Sequence, residues 1–265
     1  MALRMLVCLL LLSCVPPLWA ADDEGAGAPQ PPRVLILAYH RFATTRVDSM
    51  TVRVDTLRDQ LQAIDAAGYQ IVPLADVVRW HAGDPGAVPA RAVAITVDDG
   101  HRSVYDVLRP LLAQHPAPVT LFIYPSAISN ASYAMTWDEL RALGQSADVA
   151  IESHTYWHPN FHTERARQTP ADYRRFVSFQ LRRSRERLEA EIGRPVTLLA
   201  WPFGIHDAQT DEQAAAEGYV AAFTIDARPV RRTDSAMALP RYLMTDACDT
   251  RCINGLLRSA GGSHD

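Results

Sequence analysis

From residue 33 onward the chain alternates short apolar runs with stretches of helical spacing, and this rhythm leaves few folds open. Val34-Leu35-Ile36-Leu37 and the runs at 70–73, 92–97, 118–124, 149–151, 196–200, 219–224 and 239–244 read as strands. Helical spacing occupies 57–67, 101–112, 137–143 and the stretch that ends at 217. The longest pattern sets Tyr173, Phe176, Val177, Leu181, Leu188 and Ile192 on one face and stops at Gly193, ahead of Pro195. About seven or eight strand–helix repeats predict an α/β protein whose parallel sheet closes as a distorted (β/α) barrel of about seven strands. Such barrels gather their chemistry at the carboxyl ends of the strands, so polar residues that follow apolar runs are the candidates for a site.

The 265 residues, 48% hydrophobic and 21% charged, suit one large globular domain, expected over 33–260. A formal charge of −4 implies no general attraction to nucleic acid or to an anionic membrane. All 26 basic residues are Arg, which excludes Schiff-base and lysine-base chemistry. Met1-Ala2-Leu3-Arg4, the apolar residues 5–13 and the pair Ala20-Ala21 read as a signal peptide over 1–21, so an exported, periplasmic or extracellular protein is expected. Leu11-Leu12-Ser13-Cys14 resembles an imperfect lipobox, which leaves a lipid anchor at Cys14 open as the one membrane attachment. Residues 22–32, rich in Ala, Gly, Pro and acids, read as a linker. Beyond the leader stand Cys248 and Cys252, which in an oxidising compartment can pair, the alternative being two thiols on one helical face.

Two short blocks carry the chemistry. Asp98-Asp99-Gly100 ends the apolar run Ile95-Thr96-Val97, and two adjacent carboxylates repel unless a cation or another partner neutralises them. After the run 149–151 comes His154-Thr155-Tyr156-Trp157-His158, whose two imidazoles at i and i+4 would share one face of a helical turn and chelate one ion. Two His and one Asp make three protein ligands with a position left for water, and the second Asp stays free as a base. His40 and Trp201-Pro202-Phe203-Gly204 also follow predicted strands and should reach the same face.

These blocks resemble the first two motifs of the polysaccharide deacetylases, the carbohydrate esterase family 4 or NodB-homology group. Leu37-Ala38-Tyr39-His40, Met135-Thr136-Trp137-Asp138-Glu139-Leu140 and Leu239-Pro240-Arg241 further resemble the bacterial poly-N-acetylglucosamine deacetylase branch, in which the motif order is circularly permuted. The resemblance implies the NodB-type barrel and a divalent metal held by Asp99, His154 and His158. It makes Asp98 the general base and His40 the general acid, and sets the oxyanion near the backbone N–H of Phe203. The implied substrate is an acetylated polysaccharide such as poly-N-acetylglucosamine. Nitrogen and oxygen ligands suit zinc, and also cobalt, nickel, manganese or iron. Ala200 stands where family members often carry Arg two residues before the Pro of the third motif, which weakens a chitin-deacetylase assignment. Arg241 is then the candidate to supply a base-orienting charge from another strand.

Other residues have plainer readings. His162 is expected on an exposed loop, His101 at a helix start and His206 in a surface turn. Trp137, Trp157 and Trp201 are candidates for sugar-stacking walls, Trp201 foremost, with core packing as the alternative. The run from Arg182 to Arg187 reads as a solvated face. Competing functions are an O-acetyl esterase on acetylated xylan or another polysaccharide, and a catalytically inactive polysaccharide-binding protein. A non-haem iron oxygenase also uses two His and a carboxylate, but it would leave Asp98 without a role.

Overall fold

The computed structural model describes residues 32–45 and 48–260. The expected signal peptide, Cys14 and the linker up to residue 31 lie outside the described residues. The chain opens with β1 (Arg33–Tyr39), and then pairs two short strands, β2 (Arg41–Ala43) and β3 (Thr51–Arg53), outside the main sheet. There follow α1 (Val54–Ala66), β4 (Gln70–Ile71), α2 (Leu74–His81) and β5 (Arg91–Asp99). A turn of π-helix (Val104–Leu108) runs into α3 (Arg109–Gln114), then β6 (Val119–Ile123), α4 (Trp137–Gly144) and β7 (Val149–Ser153). After α5 (Phe161–Arg167) and the long α6 (Pro170–Ile192) come β8 (Leu198–Ala200), α7 (Ala208–Ala216), β9 (Ala221–Phe223), β10 (Tyr242–Leu243) and α8 (Thr250–Ser259).

Local sequence explains where the helices begin. Thr136 and Glu139 form a reciprocal capping box at α4, and Thr169 caps α6 with Pro170 as its first residue. Gly193 ends α6 in the left-handed conformation, as its place before Pro195 predicts.

The expected parallel sheet is present, in the order β10-β1-β5-β6-β7-β8-β9, with β4 sharing an edge of β5. Every pairing in it is parallel. The sheet curls until its two edges meet one segment: Leu239 bridges Phe223 of β9, and three residues on, Tyr242 is paired with Leu37 of β1. A distorted barrel results, and its seam is residues 239–243. Alternation along the strands divides the core. Leu35, Leu37, Val93 and Val97 face the helices, while Val34, Ile36, Ala92, Ala94, Leu198, Ala200 and Ala221 face inward around Phe122 and Phe223. Small inward residues leave room for those two rings, whose centroids are 5.5 Å apart.

At the closing end, Cys248 and Cys252 are joined by a disulfide. The carbonyl of Cys248 accepts from Gln60 Nε2 (2.7 Å), and Gln60 Oε1 accepts the Tyr39 hydroxyl (2.8 Å), so α1 and the start of α8 are tied to the last residue of β1.

The inner face also holds a carboxyl to which no cation among the described residues is hydrogen-bonded: Glu152 of β7, 8% exposed, whose Oε2 accepts the N–H groups of Thr197 (2.9 Å) and Leu198 (2.8 Å). Burial pushes its carboxyl up to about 7 despite those two donors. A carboxyl raised in the folded state favours folding at low pH and loses that contribution as pH climbs from the ordinary 4.5 through about 7. Glu152→Gln keeps an acceptor for both N–H groups and removes the titration. Its unfolding free energy should therefore gain on that of wild type between about pH 4.5 and about pH 7 and level off above, by about 1.4 kcal/mol per unit of pKa displacement removed, as urea melts across the pH range will measure.

Candidate active site

Strand β5 delivers both carboxylates, and its final backbone turn separates them. Asp99 has φ 76° and Gly100 has φ 79°. A Cβ on Gly100 would approach Ile128 Cδ1 to 3.0 Å and Ile123 Cδ1 to 3.1 Å, so the turn has room for glycine alone. Asp98 points into the barrel and Asp99 toward the cavity above it.

Asp98 is fully enclosed and meets a buried cation head-on. Arg241 Nη1 donates to Oδ1 at 2.8 Å and Nη2 to Oδ2 at 2.7 Å. The rest of the guanidinium is spoken for: Nη1 also donates to Thr96 Oγ1 (3.0 Å), Nε donates to the Thr224 carbonyl (3.0 Å), and its plane lies over Phe122. Burial alone would raise the Asp98 carboxyl, but the Arg241 charge, with His154 beyond it, holds it well below the usual carboxylate range. Thus Asp98 stays ionised in a dry setting with Asp99 beside it.

Two imidazoles close on the second carboxylate. His154 Nδ1 donates to the Ala200 carbonyl at 2.7 Å, which leaves the Nε2 lone pair facing Asp99 Oδ1 at 3.7 Å. His158 Nε2 lies 3.7 Å from the same oxygen. Burial, with His158 alongside, pushes His154 down to about 3, and burial lowers His158 too, so both imidazoles are neutral at pH 7. The expected helical turn is absent. Residues 154–160 are loop, with Thr155 at φ 63° and His158 at φ 61°, and two left-handed residues bring the rings together where a helix would use its pitch. Side chains hold that loop: Thr155 N–H donates to Ser153 Oγ, His158 N–H to Thr155 Oγ1, and Trp157 N–H to Gln180 Oε1 of α6.

His40, Asp98, Asp99, His154, His158 and Phe203 line one cavity of about 370 Å³ at the carboxyl ends of the strands. A larger cavity of about 440 Å³ opens at the opposite ends of β6 and β7, away from these groups. His40 is buried, and its Nδ1 meets no hydrogen-bond partner among the described residues. Phe203, at φ 58° and 55% exposed, sets its ring edge-on to His158.

Trp201 joins both of its readings: it lines the same cavity, and it is also a core residue, fully buried, with its indole N–H donated to the Met237 carbonyl (2.9 Å) and its rings packed against Phe161 and His206. Arg241, fully buried as well, reaches Asp98 and not the cavity surface. Trp137 lies under Arg187 away from the cavity, whereas Trp157 is exposed next to His158. His162 is exposed but begins a helix, α5, and His206 pairs with Asp211. His101 bonds Ser103 just ahead of the π-helix. Tyr124 and Arg41, which sequence reading passed over, also line the cavity. Both follow strands, the same signal that marked His40.

Asp99, His154 and His158 are suited to a cation. Their ligand atoms lie within 4.8 Å of one another, and Asp99 Oδ1 is a buried oxygen with no hydrogen-bond partner among the described residues. Burial raises the Asp99 carboxyl, the state of an acceptor that awaits a positive charge.

Residues 86–222 match the sequence profile described as polysaccharide deacetylase. The poly-beta-1,6-N-acetyl-D-glucosamine N-deacetylase of Escherichia coli (strain K12) is 26% identical over 88% of this chain, which spans 40% of that relative's length. The putative polysaccharide deacetylase YxkH of Bacillus subtilis (strain 168) is 22% identical, with 83% of this chain and 75% of the relative covered. Among solved structures, IcaB from Ammonifex degensii superposes with a TM-score of 0.74 at 22% identity, covering 85% of this chain and 97% of that one. The Streptococcus pyogenes deacetylase PplD in complex with acetate gives 0.75 at 19% identity, covering 86% and 99%. These two likenesses bear on the fold.

Removal of the buried cation tests the site's electrostatics. Arg241→Ala leaves Asp98 buried and unpaired and should lower unfolding stability by about 3–5 kcal/mol at pH 7. A depressed carboxyl contributes stability above its ordinary pKa and loses it as pH falls toward the folded value. Wild-type stability should therefore decline on acidification below about pH 4, and Arg241→Ala should decline less, in paired denaturant titrations from about pH 5 to about pH 2.

Proposed function

This chain belongs to the polysaccharide deacetylase family, and we propose that it is a metal-dependent hydrolase that removes N-acetyl groups from a poly-N-acetylglucosamine-like polysaccharide. The observation that carries the reading is the division of labour at the end of β5. One carboxylate is locked to Arg241, and the next, with two neutral imidazoles, presents a converging set of ligand atoms. The choice of substrate rests on the names of the Escherichia coli relatives, of whose length this chain spans 40% and 36%.

A divalent cation such as zinc, held by Asp99, His154 and His158, would polarise the acetyl carbonyl and make a bound water acidic. The chain's own residues do the rest. Asp98, anionic at every working pH, takes the proton of the attacking water, and the two donors of Arg241 keep its oxygens in place as it does so. The left-handed turn at Phe203 gives its backbone N–H a role toward the carbonyl oxygen as negative charge develops. His40 sits across the same cavity and supplies the proton without which the amine is a poor leaving group. The deacetylase is exported under this proposal, with 1–21 as its signal peptide and 33–260 as its catalytic domain. The Cys248–Cys252 disulfide is in keeping with an oxidising compartment.

Metal-loaded protein should release acetate from N-acetylglucosamine oligomers and bind one equivalent of metal. Asp98→Asn and His154→Ala should each lower the rate by at least about 10²-fold, and a chelator should abolish it reversibly. Absence of acetate release by the loaded wild type, or full activity in either variant, would overturn the proposal. A marked preference for acetylated xylan would redirect it to ester hydrolysis.

A further inference from the structure

One side of the cavity carries a second set of groups that the deacetylation chemistry does not use. Arg41 follows His40 directly and lines the cavity, with its guanidinium partly exposed. Its Nη1 donates to Asp48 Oδ2 at 2.8 Å, and Asp48 is fixed in turn by the Met50 N–H and the Thr51 hydroxyl, both 2.9 Å from Oδ1. One arm of the guanidinium is thus held by Asp48, while its Nε is buried with no hydrogen-bond partner among the described residues. The field of the guanidinium reaches Asp99, His101 and Tyr124.

Those neighbours lead to an exposed ring. Tyr124 stands 5.4 Å from the His158 ring, and its hydroxyl is hydrogen-bonded to that of Tyr133 at 2.7 Å. Tyr133 is 43% exposed, and its ring lies nearly parallel to that of His101, 11° between planes with the centroids 6.3 Å apart. Its backbone is tied down as well: its carbonyl accepts the Arg102 N–H at 2.8 Å, and Ala134 bridges His101. Tyr133 thus stands one hydrogen bond outward from the cavity that Tyr124 and Arg41 both line, and the strand that begins at Arg41 is tied to the same rim by the Phe42 N–H donating to Ser103 Oγ, which bonds His101.

We propose that Tyr133 and Arg41 are the two walls of a carbohydrate subsite, which binds the neutral pyranose next in the chain to the residue being deacetylated. The apolar face of the sugar lies on Tyr133, and its hydroxyl or acetyl oxygens accept from the Arg41 guanidinium. The inference deepens the deacetylase reading and rests on it.

The test compares Tyr133→Ala, Tyr133→Phe, Arg41→Ala and Arg41→Lys on an N-acetylglucosamine pentamer and on a small aryl acetate, with metal content measured for each. Tyr133→Ala and Arg41→Ala should raise the pentamer KM about tenfold, a loss at least fivefold greater than their loss of kcat/KM on the aryl acetate. Tyr133→Phe should retain pentamer binding, Arg41→Lys should not, and metal content should stay at one equivalent in all. Equal losses on both substrates, an unchanged pentamer KM or a loss of metal would overturn the subsite. If the wild type binds the pentamer without releasing acetate, the deacetylase reading fails. The subsite is then judged by the calorimetric pentamer Kd of the same variants, a tenfold rise supporting it and no change refuting it.

Discussion

Two carboxylates on successive residues cannot both remain ionised at the mouth of a dry barrel unless each has its own countercharge. The architecture around Asp98 and Asp99 answers that constraint. A left-handed turn aims them in different directions, a glycine with no room for a Cβ makes the turn, and a buried arginine binds one of them through both oxygens. The arginine comes from the seam that closes the barrel, 143 residues away along the chain. Closure of the sheet and charging of the base are therefore one event. A barrel that failed to draw residues 239–243 onto β1 and β9 would have an uncompensated carboxylate at its centre.

The opposite wall of the site depends on α6. Its Gln180 and Ser184 are fully buried, and they hold the histidine loop through Trp157 and Ser153. The long helix, mostly a surface element by composition, is thus the template on which two imidazoles converge. Tyr39, Gln60 and Cys248 do the same for the strand end that carries His40.

Much of this was legible in the chain. Parallel strands buried on both faces are continuous apolar runs, so β1, β5, β6 and β7 were readable, and the rule that chemistry follows strands led to Asp98, Asp99, His154 and His40. The four-residue spacing of His154 and His158 was ambiguous. A helix and a loop with two left-handed residues bring i and i+4 together equally well, and nothing in Thr155 announces a positive φ. Short elements such as β2, β3 and α5 were hidden because they take their stability from tertiary contacts. Arg241 could be suspected but not assigned from a single sequence, since its partner is distant and its charge looked out of place in a strand. Trp201 left two readings open because an aromatic after a strand serves either core or site, and packing against Phe161 and His206 beneath the cavity lets it do both.

Asp99, Thr155, His158 and Phe203 all hold left-handed backbone conformations that ordinary side chains avoid; three of them line the cavity, and Thr155 lies in the loop that carries the two histidines. Such conformations are of order 1–3 kcal/mol less favourable per residue and persist where the surroundings over-determine them. Backbone strain is accordingly concentrated at the mouth of this barrel. Stability and catalytic precision are opposed here. Sequence drift that eases these four residues would give a sturdier protein with a blunter site, so selection for robustness alone would erode the geometry on which its chemistry relies.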